Sequence, residues 1–267
     1  MMKLKVILGS LSVAFLCSCS EYTYLYKSNN YRYKYEVAKA YFAMGSYTKS
    51  CTLIEDILMQ LKGTAQADES LFLLGEGYLR KGDYDLAATY FKQYYVSYPH
   101  GKLAELARYK TGTALYLNTP DARLDQSDSY SAIQELQIYI EYFPNGKYRP
   151  QAEEMIYALQ DKLAEKELES AKLYYHLGTY LGNNYESCIV TAQNALRDYP
   201  YSKLREDFYI YMLRARYKVA QESVYERQQE RYRDAIDEYY TFKNEFPESK
   251  YLDEAEKIFR DASKKVQ

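Results

Sequence analysis

Tryptophan is absent from the 267 residues, and histidine occurs only twice. His100 sits in a turn whose other copies carry Asn, Tyr or Glu, and His176 has no second histidine near it in sequence. No P-loop, G-x-G-x-x-G or G-x-S-x-G is present, so nucleotide-driven, hydrolytic and metal chemistry find no motif here. No enzyme activity and no cofactor are expected. Only four cysteines occur, with no C-x-x-C, which argues against a zinc site. Cys51 and Cys188 lie far apart on expected helices and read as small core residues. A net charge of −2 supplies no broad basic field, so no nucleic-acid partner is expected. With 6 Pro and 11 Gly, long regular elements are rarely interrupted. What is abundant is tyrosine, 35 residues of it. A ring with a polar tip suits half-buried positions among short helices in two layers; a compositional habit of the source is the plainer reading.

The chain opens with a short positive stretch, Lys3 and Lys5, then an apolar run from Val6 to Leu16. That run is too short to span a bilayer as a stable helix and has the form of a removed leader. Leu16-Cys17-Ser18-Cys19 resembles the lipobox of bacterial lipoproteins. The resemblance implies cleavage before Cys19, leaving 1–18 as signal peptide and Cys19 as the residue carrying S-diacylglycerol and N-palmitoyl groups. Cys17 does not fit, because bulky Leu16 would sit just before the cut. Several acyl chains hold firmly where one holds weakly. Ser20, rather than Asp, after the cysteine implies sorting to the outer membrane, with the rest of the chain on the periplasmic face. No later stretch is long and apolar enough to span. Residues 19–30 read as a lipid-anchored tether whose Tyr22, Tyr24 and Tyr26 either sit at the headgroup boundary or pack as a short strand-like linker on the first helix.

Repeats organise the remainder. The clearest unit runs from Leu71 to Pro99 and contains Leu74-Gly75-Glu76-Gly77-Tyr78, the turn Gly82-Asp83-Tyr84, then Ala87, Phe91 and Pro99. This follows the tetratricopeptide template of L-G-x2-Y, a turn, A-x3-F and a closing proline. Gly75 and Ala87 allow close helix approach, Tyr78 and Phe91 fill the seam, and Pro99 ends the unit. The small-x3-apolar spacing recurs at Ser50/Ile54, Ala87/Phe91, Ala132/Leu136, Cys188/Ala192 and Ala235/Tyr239. A proline follows eight residues after the apolar marker in four of these, at Pro99, Pro144, Pro200 and Pro247. Each such proline belongs to an aromatic-Pro-x-small-Lys-apolar segment, at 98–103, 143–148, 199–204 and 246–251. The expectation is an all-α, tetratricopeptide-type α-solenoid of about five helix pairs plus a capping helix, Leu252 to Lys264. Repeats 1–3 with an extra helix, about Pro150 to Lys162, fill 31–165; repeats 4–5 and the cap fill 166–267. Inserts are expected at Asn118–Asp128 and around Gln221–Arg231.

In stacked helix pairs the first helices line one face. Tyr35, Lys39 and Phe42 of the first pair, with Phe72, Glu76 and Arg80 of the second, are expected there. Aromatic rings flanked by charge suit capture of an extended or hairpin peptide. The competing reading is that the three aromatics only pack between repeats.

The whole chain resembles the BamD family of outer-membrane assembly lipoproteins, in a Bacteroidetes-like form. The resemblance is carried by the lipobox, the helix pairs, and the segments Arg123-Leu124-Asp125-Gln126, Ala132-Ile133-Gln134-Glu135-Leu136, Asp161-Lys162-Leu163-Ala164, Ala171-Lys172-Leu173-Tyr174-Tyr175 and Glu230-Arg231-Tyr232-Arg233-Asp234-Ala235-Ile236. It implies a non-enzymatic scaffold of the β-barrel assembly machinery. The C-terminal repeats are then expected to bind the barrel subunit BamA, and the N-terminal repeats to meet unfolded outer membrane proteins. The alternative is a repeat lipoprotein coordinating peptidoglycan synthesis or another periplasmic complex. Such proteins usually carry a coiled coil before the repeats, and no heptad stretch precedes residue 33.

Overall fold

The computed structural model describes Tyr22 and residues 24–266. Cys17, Cys19 and the leader lie outside the described residues. All regular structure in the described residues is helical. The helices are α1 (Tyr31–Ala43), α2 (Tyr47–Leu61), α3 (Ala67–Lys81), α4 (Tyr84–Ser97), α5 (Ala104–Asn118), α6 (Ser127–Tyr142), α7 (Arg149–Leu177), α8 (Asn184–Asp198), α9 (Arg205–Glu222), α10 (Tyr225–Glu245) and α11 (Leu252–Ser263). This is the expected all-α, tetratricopeptide-like arrangement. The chain groups into two compact units. Of the described residues, one unit comprises those up to Asn118 with Glu135–Ala152; the other comprises Thr119–Gln134 with those from Glu153 onward.

In the first unit, α1 to α5 and the C-terminal half of α6 pack as successive helix pairs. The core runs through Ala38, Cys51, Leu53, Ile54, Leu74, Ala87, Phe91 and Tyr94. Close approach depends on residues without side chains. A Cβ on Gly75 would stand 2.7 Å from the Phe91 ring, and one on Gly112 would stand 2.6 Å from Leu136 Cδ2. Gly112 is therefore the third pair's counterpart of Gly75, set against the same apolar marker. The turn between α3 and α4 uses Gly82 at φ +78°, a conformation that costs a side chain dearly. Asp83 N–H then returns to the Tyr78 carbonyl at 3.0 Å.

In the second unit, Ala164 and Leu168 of α7 meet Ala192 and Ala195 of α8 and Phe208 and Met212 of α9. Cys188 packs with Ala171, Ile189, Ala215 and Val219. Helix α11 covers the last pair through Ala255 against Tyr239 and Phe242, and Ala262 beside Tyr232. Cys51 and Cys188 are both free and buried, as small core residues.

One expectation requires correction. The separate extra helix at 150–162 does not exist, because α7 is one helix of 29 residues. Pro150 falls in its first turn, where proline is tolerated. Nothing after it breaks the helix until Gly178, at φ +56°. The expected division after residue 165 therefore falls inside α7.

The four closing segments share one backbone pattern. The aromatic residue's N–H bonds the carbonyl four residues back in every copy: Tyr98 to Tyr94 at 2.8 Å, Phe143 to Tyr139 at 2.9 Å, Tyr199 to Ala195 at 2.8 Å and Phe246 to Phe242 at 2.9 Å. Tyr98, Tyr199 and Phe246 take φ near −130° and ψ near +65°, outside the helical region that a following proline disfavours. What completes the turn differs between copies. Where the small residue is glycine, a tyrosine hydroxyl accepts the N–H that starts the next helix: Leu103 N–H to Tyr94 Oη at 3.3 Å and Tyr148 N–H to Tyr139 Oη at 3.1 Å. Where the small residue is serine, its own Oγ accepts: Leu204 N–H to Ser202 at 3.2 Å and Tyr251 N–H to Ser249 at 3.0 Å. The positions equivalent to Tyr94 and Tyr139 are then Ala195 and Phe242, which carry no hydroxyl. A Cβ on Gly101 or Gly146 would lie 2.8 Å or 2.5 Å from the tyrosine oxygen, so the two devices exclude each other.

Candidate functional site

Ala87, Phe91, Ala132, Cys188 and Ala235 are at most 1% exposed, and Tyr78 is buried. Tyr78 and Tyr90 stack with centroids 5.5 Å apart and both donate to Glu55 Oε1, at 2.6 and 2.8 Å. Burial and this shared carboxylate push both phenols well above the ordinary tyrosine range. In this pair a buried ring, Tyr78, and a half-buried one, Tyr90, both have hydrogen-bonded tips, the use of tyrosine at helix seams that its polar tip permits.

The six groove candidates separate. Tyr35 is 2% exposed, packed with Ile57 and Leu61, with its hydroxyl bonded to Glu69. It is a packing residue and cannot face a ligand. Phe72 is half-buried against Phe91 and Tyr94, with centroids 5.4 and 5.8 Å away. Phe42 is half-buried edge-on to Tyr47 at 5.3 Å. Lys39 lies over the Tyr35 ring at 4.8 Å and 3.9 Å from Glu69. Glu76 pairs with Lys110 of α5 at 2.5 Å. These pairs tie the first helices of neighbouring repeats together. Arg80 is exposed.

The sequence reading missed a cleft in the second unit. It has a volume of about 840 Å³ and lies between the loop Thr119–Ala122, α7 and the start of α9. The loop is the expected insert, and it is fastened to α7. Lys162 Nζ donates to Thr119 Oγ1 at 2.6 Å, and Lys166 Nζ to the Leu124 carbonyl at 3.2 Å. Gln126, 3% exposed, closes the loop from inside by donating to the Asp121 carbonyl at 2.7 Å and accepting from Ser129 Oγ at 2.7 Å. Charges of both signs line the cleft. Glu169 is held below the ordinary glutamate range by the bond from Lys172, at 2.9 Å. Burial works against the Lys172 charge, but Glu169 outweighs it, and the ammonium is raised. Asp161 accepts the Lys203 N–H at 3.0 Å. Fixed charges of both signs around an apolar floor that includes Ala158, Leu168 and Leu204 suit a polypeptide carrying both signs better than a compact apolar ligand. Among the described residues, no group of His, Cys, Asp and Glu side chains is arranged to hold a metal ion.

A family model described as YfiO, outer membrane lipoprotein, matches residues 27–182. The chain belongs to the YfiO family. This is the family that includes BamD. The YfiO match covers α1 to α7 and therefore both the groove candidates and the α7 side of the cleft; α8 to α11 follow it. A comparison with curated proteins found no match. Among the described residues, no helix of this YfiO-family chain is long and apolar enough to cross a membrane.

Proposed function

We propose that this protein is a non-enzymatic scaffold of the β-barrel assembly machinery, held on the periplasmic face of the outer membrane by acylated Cys19. The observation that carries the reading is the YfiO-family match over a stack of tetratricopeptide-like pairs, preceded by a leader of lipoprotein form. The N-terminal repeats, 31–165, meet unfolded outer membrane proteins, with Lys39, Phe42, Phe72, Glu76 and Arg80 as the remaining groove candidates. The C-terminal repeats, 166–267, hold a BamA-like barrel subunit. The mixed-charge cleft along α7, about 840 Å³ in volume, is a further concave surface for a polypeptide.

The test is recovery of partners with the acylated chain under mild detergent. A BamA-like barrel protein is expected to co-purify in near-stoichiometric amount. Its absence, with the chain intact and extracted, counts against the reading.

A further inference from the structure

The described residues that follow Cys19 do not form a free tether. Tyr22 and residues 24–27 are helical, and Leu25 is 7% exposed within the first unit's core. Lys34, at 5% exposure, donates to the Tyr26 carbonyl at 2.6 Å and to the Asp56 carboxylate. The Tyr22 ring stands edge-on to Tyr41 at 5.9 Å, with Lys49 over both rings at 5.4 and 5.2 Å. The segment is thus clamped to α1 and α2 by the Leu25 plug, by the Tyr26 carbonyl accepting from Lys34, itself paired with Asp56 of α2, and by Tyr22 sharing the Lys49 cation with Tyr41. Cys19 lies three residues before Tyr22, and three residues span at most roughly 11 Å.

We propose that this clamp holds the N-terminal end of the first unit against the lipid headgroups, with Tyr24, Lys27, Arg32 and Tyr33 as the contact surface. The proposal rests on acylation of Cys19. Tyr24 is 82% and Tyr33 57% exposed, and Lys27 and Arg32, close to them in sequence, are exposed too. Lys34, next to Tyr33 in sequence, touches Tyr26, so these residues share one end of the unit. Tyrosine presents an apolar ring with a wet hydroxyl, the chemistry of a bilayer interface. Lys27 and Arg32 add two positive charges for lipid phosphate. Helix α1 has no acidic residue in its first turn, so no side-chain carboxylate there offsets the positive end of its dipole. The occupant is a bilayer surface containing anionic phospholipid: the anchor's short reach brings the leaflet to this patch and to no more distant one.

The absence of tryptophan makes the test direct, since Tyr24→Trp supplies a single reporter at an exposed position. The acylated variant is placed in vesicles of phosphatidylethanolamine and phosphatidylglycerol, with and without brominated acyl chains. A blue-shifted emission quenched by the brominated lipid is expected, with both effects lost in Lys27→Glu/Arg32→Glu. Water-like, unquenched emission from chain that still floats with the vesicles overturns the proposal while leaving the anchor intact. Shielding of that tryptophan only in detergent-extracted envelope complexes would assign the patch to a protein and also overturn it. A chain that fails to float shows instead that the anchoring reading has failed, and the proposal falls with it.

Discussion

The exchange of hydrogen-bond acceptors at the closing turns gives a sharp quantitative expectation. In the copy at 98–103, Tyr94 is fully buried and its oxygen accepts the Leu103 N–H. Tyr94→Phe leaves that N–H without its acceptor, a loss of about 1–2 kcal/mol. Gly101→Ser alone drives a Cβ to within 2.8 Å of the same oxygen, overpacking that costs about 1–3 kcal/mol. Gly101 is not at positive φ, so the backbone itself accepts serine. Together the two substitutions recreate the arrangement seen at Ser202 and Ser249: the hydroxyl that would clash is gone, and the serine Oγ takes over the N–H. The Tyr98 carbonyl, 3.0 Å from the new Cβ, leaves recovery incomplete. The pair should therefore be less destabilising than the sum of the singles by about 1–2 kcal/mol. For units of this size that corresponds to roughly 2–8 °C in melting temperature. The assay is chemical and thermal denaturation of the chain from residue 20, with hydrogen exchange at the 98–104 turn locating the effect. Additive losses, or a double variant worse than either single, would refute the acceptor exchange.

Three further expectations follow from packing and charge. Gly112→Ala gains about 1 kcal/mol of helix propensity but sets a methyl against fully buried Leu136, so a net loss of about 1–2 kcal/mol is expected in urea titration; unchanged or raised stability contradicts the close-approach reading. Glu254→Ala breaks the two-point pair with Arg214, at 2.7 and 2.6 Å, between α9 and the capping helix. The Glu254 side chain is 42% exposed, so after allowing for solvent screening the loss is only about 0.5–1 kcal/mol. The Arg214 bond holds the Glu254 carboxyl below its ordinary value of 4.5. Its contribution is accordingly full above pH 4.5 and disappears as pH falls through the lowered folded value, so wild type and variant should converge in acid; a gap that persists below that range contradicts this origin. Burial pushes the Cys51 thiol up to about 11 and the Cys188 thiol up to about 12. Neither should react with a thiol reagent in the native chain at pH 8, and both should react once it is denatured; rapid native labelling would show that the core around them opens.

Much of the fold was legible because the repeat unit writes its constraints at fixed spacing. A small residue is needed where helices touch, an apolar one in the seam, and proline where the second helix stops. Gly112 escaped notice because Thr111-Gly112-Thr113-Ala114-Leu115 lacks the tyrosine that flags Leu74-Gly75-Glu76-Gly77-Tyr78; its role shows only once Leu136 is seen against it. The expected helix starts close to where α7 starts, at Pro150, but ends at Lys162, although no glycine or proline between 151 and 177 stops it. The groove candidates were harder for a different reason. Helical periodicity says that Tyr35 points inward, but inward includes both the seam between helices and an open face. Only the hydroxyl bond to Glu69 and the contact with Ile57 and Leu61 decide for the seam. The cleft along α7 depends on an insert folding back onto a helix some forty residues later, a tertiary contact that no local pattern encodes.

The claim on which the functional account turns is that barrel proteins depend on this chain to fold. Its depletion in the native host, followed by heat-modifiability of newly made outer membrane barrels, measures that dependence. The account predicts that unfolded barrels accumulate on the periplasmic side while other lipoproteins still reach the membrane. Barrels that fold at their usual rate without the chain would contradict it.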